Sequence, residues 1–262
     1  MKLAFEEWGE RGAPVVCCLH GITSHGGHFA QLAGRLADRF HVVALDLRGH
    51  GSSSYEPPWN IEQHVEDALD TLMEEGLVTE PIRWIGHSFG GRISFEVAAA
   101  APEAVERLVL LDPALLISGN AAVNGAEAAR LDRSYASFED AIDHRFEESR
   151  LSRAPRELVA DELRTHLEER PDRRWRYRYL QSAVVAAYGE MSREPPPFEL
   201  AMIPTLLVLG DESYISYDHL LDAHAAVLGD ELEVVRVPGG HTLLWDSLAE
   251  TGDAIDEFLR RD

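Results

Sequence analysis

Lysine is almost absent. Lys2 is the only one in 262 residues, and every other basic side chain is an arginine. Basic residues number 24 against 46 acidic ones, a formal net charge of -22. So acidic a chain repels phosphates, which argues against nucleic acid as a partner. Cysteine is scarce too. Cys17 and Cys18 are adjacent in the apolar run Val15-Val16-Cys17-Cys18-Leu19. Two cysteines cannot build a disulfide scaffold, and neither has metal-ligand spacing. They read as small hydrophobes in a buried strand, and a reducing cytoplasm is the expected compartment. No apolar run reaches the roughly 18 residues of a spanning helix, so no membrane partner is expected. No charged region followed by an apolar run marks a signal peptide after Met1 and Lys2. Internal repeats are lacking.

What is present is an alternation of two hydrophobic periods. Val15 to Leu19 and His41 to Leu45 read as buried strands, and Ile82 to Ile85, Arg107 to Leu111, Thr205 to Leu209 and Leu232 to Val237 read as further strands. Between them, Phe29 to Asp38, Ile61 to Glu75, Phe89 to Ala100, Tyr217 to Leu228 and Ser247 to Arg261 show helical spacing. This order predicts an α/β fold, a mostly parallel central sheet with helices on both faces. With 45% apolar residues, a large core is available.

The alternation breaks between Ala114 and Phe198. That stretch has helical patterns, no strand of comparable quality, and ends on Pro195-Pro196-Pro197. It is expected to be an inserted helical cap (114–198) on a core made of 1–113 and 199–262. Its 15 acidic residues and 13 arginines nearly balance, so about -20 of the charge lies on the core. The cap segment from Arg173 to Tyr179 alternates arginine with aromatics, a pattern of either a short strand or a helix face. It is expected to pair with Glu168, Glu169 and Asp172 on a solvated surface, the alternative being a rim that recognises a carboxylate or aromatic substrate. Tyr188, Met191 and Phe198 read as core, and Trp245 as either core or pocket border.

The chemistry-bearing motif is Gly86-His87-Ser88-Phe89-Gly90, between an apolar strand and a helix. In that context G-x-S-x-G is a nucleophile elbow. The turn is too tight for side chains two positions either side of the serine, and it projects the hydroxyl at the carboxyl edge of the sheet, over a helix N-terminus.

Here the chain resembles the α/β-hydrolase fold superfamily over nearly its whole length. Leu19-His20-Gly21-Ile22, the loop Asp46-Leu47-Arg48-Gly49-His50-Gly51-Ser52 and Gly239-Gly240-His241 after the last strand carry the rest of the resemblance. It implies Ser88 as nucleophile and His241 as general base. It also implies an oxyanion hole from the backbone N–H groups of Ile22 and Phe89, with no cofactor or metal. The acid is open. The position three residues beyond Gly210, where relatives carry an Asp, is Ser213. Asp112, at the end of the strand after the nucleophile helix, is favoured over Asp211 and Glu212. His87 is expected to point away from the site, His20 to buttress the oxyanion loop and His50 to lie in the glycine loop, while His25 and His28 are expected to be solvated, the alternative being that they line the pocket.

The activity this implies is hydrolysis of a small or medium carboxylic ester, thioester or lactone through an acyl-enzyme. The alternatives are a carbon–carbon bond hydrolase of ring-cleavage diketones, or an acyltransferase or perhydrolase using the same triad. A non-catalytic receptor and a lipase working at an interface are disfavoured. The oligomeric state, monomer or dimer, is left open.

Overall fold

A computed structural model describes residues 1–261. Seven strands form the main sheet: β1 (Phe5–Trp8), β2 (Val15–Leu19), β3 (His41–Leu45), β4 (Ile82–His87), β5 (Val105–Leu111), β9 (Thr205–Gly210) and β10 (Leu232–Val237). Their spatial order is β1-β3-β2-β4-β5-β9-β10. All neighbours are parallel except β1, which runs antiparallel to β3 at the edge.

Side chains alternate across this sheet, and the two cores follow from that alternation. Cys17, Leu19, Trp84, Leu108 and Leu110 face one core, closed by α2 (Ile61–Glu74), α3 (Phe89–Ala100) and α8 (Asp218–Leu228). Val16, Cys18, Ile85, Val109 and Leu111 face the other, closed by α1 (Ala30–Leu36) and α10 (Leu248–Leu259). The adjacent cysteines therefore enter different cores; both are free and buried. Burial pushes both thiols upward in pKa, so they are inert hydrophobes.

Between β5 and β9 the chain forms α4 (Gly119–Ala129), α5 (Phe138–Glu148), α6 (Arg156–His166) and α7 (Gln181–Glu190). It also forms a small antiparallel sheet: β6 (Ser134–Tyr135), β8 (Trp175–Tyr177) and β7 (Leu167–Glu169), with β8 central. β8 is the short strand that the Arg173–Tyr179 alternation allowed, whereas β6 and β7, of two and three residues, are too short for a period of two to register in sequence. The surface arginines pair as expected: Arg170 with Glu168, Arg173 with Glu169, Arg176 with Asp172.

The glycine loop ties this segment to the sheet. Gly51 N–H donates to the Arg178 carbonyl (2.7 Å), and Leu180 N–H donates to the Gly49 carbonyl (2.8 Å). The loop is itself held from within. Asp46 accepts from the N–H groups of Gly26 and Ser52, each at 2.7 Å, and Arg48 forms a buried two-pronged pair with Asp67 at 2.6 and 2.8 Å. The motif's charged residues are thus structural.

β2 connects outward to β3 on one side, while β4 lies on its other side. This reversal opens a crevice at the carboxyl ends of β2 and β4, the usual ligand position in an open α/β sheet. The segments Leu19-His20-Gly21-Ile22 and His87-Ser88 both end there.

Candidate active site

Ser88 has φ 55° and ψ -116°, a conformation that non-glycine residues avoid and that costs on the order of 1–3 kcal/mol. Its neighbours fix it there. Its N–H donates to the Leu111 carbonyl (3.0 Å), and its carbonyl accepts from Ala114 (3.1 Å) and Arg92 (3.2 Å). The flanking glycines are required by contact. A Cβ on Gly86 would fall 2.4 Å from the Gly90 carbonyl oxygen, and one on Gly90 would fall 2.0 Å from that of Leu19. Gly21 passes so close over the elbow that its Cβ would be 3.1 Å from that of Ser88. That approach brings the loop after β2 against the serine.

Phe89 is the first residue of α3, so its N–H has no carbonyl partner within the helix. Ile22 lies on the other loop and lines the same cavity as Ser88. His20 supports that loop as expected. Its Nε2 accepts from the Leu47 N–H (3.0 Å), which leaves Nδ1 to donate to the Gly21 carbonyl (2.7 Å). This arrangement needs a neutral ring, and burial pushes the His20 pKa down to about 3. His50 packs edge-on against it at 5.2 Å between ring centroids.

His241 follows β10 on a loop that folds back over β9. A Cβ on Gly210 would meet the Gly240 carbonyl oxygen at 2.4 Å, so the crossing needs glycine at the end of β9. His241 Nδ1 then lies 2.5 Å from Asp112 Oδ2. With Nδ1–H given to that carboxylate, Nε2 is the nitrogen left to accept a proton. Asp112 is buried and also accepts from the Gly210 N–H (3.2 Å) and the Ser213 hydroxyl. The serine that stands where relatives carry the acid is thus a donor to the acid at the other location. Asp211 and Glu212 are both exposed. Among the three candidate acids, the structure brings only Asp112 to His241.

Ser88 and His241 share a cavity of about 180 Å3, walled by the sheet loops on one side and by α5, α6, α7 and Tyr179 on the other. Here the sequence reading needs correction at three histidines. His87 does not point away: it lines the cavity, donates through Nε2 to the His241 carbonyl (2.9 Å), and packs at a tilt against the His241 ring, 4.8 Å between centroids. His25 and His28 are buried rather than solvated. His28 Nδ1 meets Glu162 at 2.9 Å, and His25 stacks on His166 at 4.4 Å. Met191 and Phe198 are core as expected, Met191 also bordering the cavity, and the half-buried Tyr188 packs on that core while lining the cavity. Trp245 does border the cavity, with its indole N–H donated to Glu162.

Three residues of the segment between β5 and β9 went unnoticed in sequence: Glu162, Arg145 and His166. Arg145 had a readable signal. It lies four residues after Ala141 and three after Ile142, on the buried face of α5, where an arginine needs a reason.

The chain matches the model of the alpha/beta hydrolase fold over residues 14–248. The chain belongs to the α/β-hydrolase fold family and is a hydrolase. It is 32% identical over 243 residues to a protein named lipase LipV from Mycobacterium tuberculosis, covering 92% of this chain and 91% of that one. It is 31% identical to 2-(acetamidomethylene)succinate hydrolase from Mesorhizobium japonicum, covering 88% of this chain and 82% of that one. The crystal structure of an E-2-(acetamidomethylene)succinate hydrolase superposes with a TM-score of 0.86 at 23% identity, over 99% of this chain and 95% of that one, a likeness of fold. Among the described residues, no helix is long and apolar enough to cross a membrane.

Proposed function

We propose that the protein hydrolyses small carboxylic esters through an acyl-enzyme on Ser88, with His241 as general base and Asp112 as the acid that orients it. One observation carries this reading: a serine strained at the end of β4 shares a cavity with a histidine whose other nitrogen is held by a buried aspartate. The segment 114–198 serves as a cap over the core of 1–113 and 199–262.

The Ser88 oxygen attacks the ester carbonyl carbon as His241 Nε2 takes its proton. The carbonyl π-electrons move to oxygen, and the N–H groups of Ile22 and Phe89 stabilise that oxyanion. The intermediate collapses, the carbon–oxygen bond to the alcohol breaks, and His241 returns the proton to the leaving alkoxide. Water then attacks the acyl-enzyme by the same route and frees the acid and Ser88. Asp112 stabilises the imidazolium in both halves. Cys17 and Cys18, free and buried, suit a reducing cytoplasm.

The cavity sets the size. An apolar cavity of about 150 Å3 holds a benzene, so about 180 Å3 takes a short acyl group and not a fatty chain. Overfilling a packed site costs about 1–3 kcal/mol. p-Nitrophenyl acetate and butyrate are therefore expected to exceed the palmitate ester in kcat/KM by about tenfold or more. Faster palmitate turnover would point instead to a lipase, and turnover confined to a vinylogous diketone would point to carbon–carbon cleavage.

A further inference from the structure

Arg145 is the one buried charge in the cavity that its surroundings leave unanswered. The other charged walls are answered from within: Arg133 meets Glu148 at 2.7 Å, and Glu162 holds His28 and the Trp245 indole. Arg145 is only 9% exposed and has no carboxylate within 4.0 Å among the described residues. Its Nε donates to the Tyr177 hydroxyl (3.1 Å), and one terminal nitrogen reaches the Thr23 carbonyl (3.5 Å). Its plane lies over the Tyr177 ring, 4.4 Å from the centroid.

A guanidinium stays protonated under all ordinary conditions and carries five N–H groups. Tyr177 is no counter-ion, because burial raises its pKa and keeps the hydroxyl neutral. Burying an arginine without an anion is costly, and a bound anion that supplies further acceptors lowers that cost.

We propose that Arg145 recognises a carboxylate on the substrate, so that the physiological ester is a short one bearing a free carboxylate, such as the hemi-ester of a small dicarboxylic acid. This rests on the ester-hydrolase reading of Ser88. The planar fork of Arg145 matches a carboxylate with two parallel N–H donors. The other role open to Arg145 is to steady the oxyanion loop through Thr23, the residue after Ile22. The two roles predict different kinetics: recognition acts only on charged substrates, and loop support acts on all of them.

The test compares p-nitrophenyl hemi-glutarate with a neutral ester of the same acyl carbon count, p-nitrophenyl valerate. In the unaltered enzyme the charged ester is expected to win in kcat/KM by about ten- to a hundredfold, the range of a charge-assisted hydrogen-bonded pair. In Arg145→Met the ratio should collapse to near one. In Arg145→Lys, which keeps the charge and loses the fork, it should lie between. No preference in the unaltered enzyme overturns the proposal even if neither variant folds, and so does an equal loss on both esters in Arg145→Met. Stoichiometric labelling of Ser88 by a fluorophosphonate is run alongside. If Ser88 labels and the preference is missing, recognition by Arg145 fails alone. If Ser88 does not label, the ester-hydrolase reading fails first.

Discussion

Replacing Asp112 by asparagine is expected to lower kcat on p-nitrophenyl butyrate by about 10⁴-fold, the usual cost of losing a triad acid. The reason is the proton inventory around one carboxylate. Asp112 receives three donors: His241 Nδ1–H, the Gly210 N–H and the Ser213 hydroxyl. An amide at this position brings an NH2 group into a site built only for acceptors. To avoid a clash of donors, His241 turns to the tautomer with its proton on Nε2, where it can no longer take one from Ser88. Folding should survive, because the side chain keeps its shape. Asp211→Asn and Glu212→Gln, at exposed positions, should leave turnover near that of the parent enzyme. Turnover surviving in Asp112→Asn and abolished in Asp211→Asn would reverse the assignment.

The second large effect is on stability. Burial holds His20, His50 and His64 at pKa values of about 3 and His224 at about 4, while the same groups in an unfolded chain titrate near 6.5. The folded pKa is the depressed one. The neutral rings therefore contribute stability that is full above about pH 6.5 and is lost as pH falls toward 3, because the unfolded chain takes up the protons first. Each ring contributes up to about 1.4 kcal/mol per pH unit in that window. Four together approach the whole stability of a domain, about 5–15 kcal/mol. The hydrogen bonds agree in direction. His20 Nε2 accepts a backbone N–H, and the Tyr217 hydroxyl meets His224 Nδ1 at 2.8 Å. Thermal unfolding followed by circular dichroism at pH 7, 6 and 5 should show Tm falling at each step. A flat Tm across that range would mean that these imidazoles protonate in the folded protein.

Much of the scaffold was legible because its central strands are buried on both faces and even the edge strand Leu232–Val237 keeps four apolar residues in six. Val15–Leu19 and Leu232–Val237 form over the predicted residues, as does the helix Phe89–Ala100. The strand Phe5–Trp8 was not seen. Its sequence Phe-Glu-Glu-Trp is half exposed, pairs on one side only, and carries no apolar run. The elbow was readable because steric exclusion at Gly86 and Gly90 writes itself into local spacing. The acid could only be ranked, with Asp112 first, because its partner arrives from the far side of β9 on a loop crossing at Gly210, a contact spanning 129 residues. The inward turn of His87 and the burial of His25 and His28 were hidden for a similar reason: the elements that cover them come from elsewhere in the chain. The charge imbalance describes the scaffold more than the site, where one arginine without an anion matters more than the net acidity.

The central claim is that Ser88 is the nucleophile, and intact-mass measurement after treatment with a fluorophosphonate tests it most directly. The account predicts one adduct per chain, mapped by peptide digestion to Ser88, with none in folded Ser88→Ala. A folded parent enzyme that takes no label, or an adduct on any other residue, would contradict it.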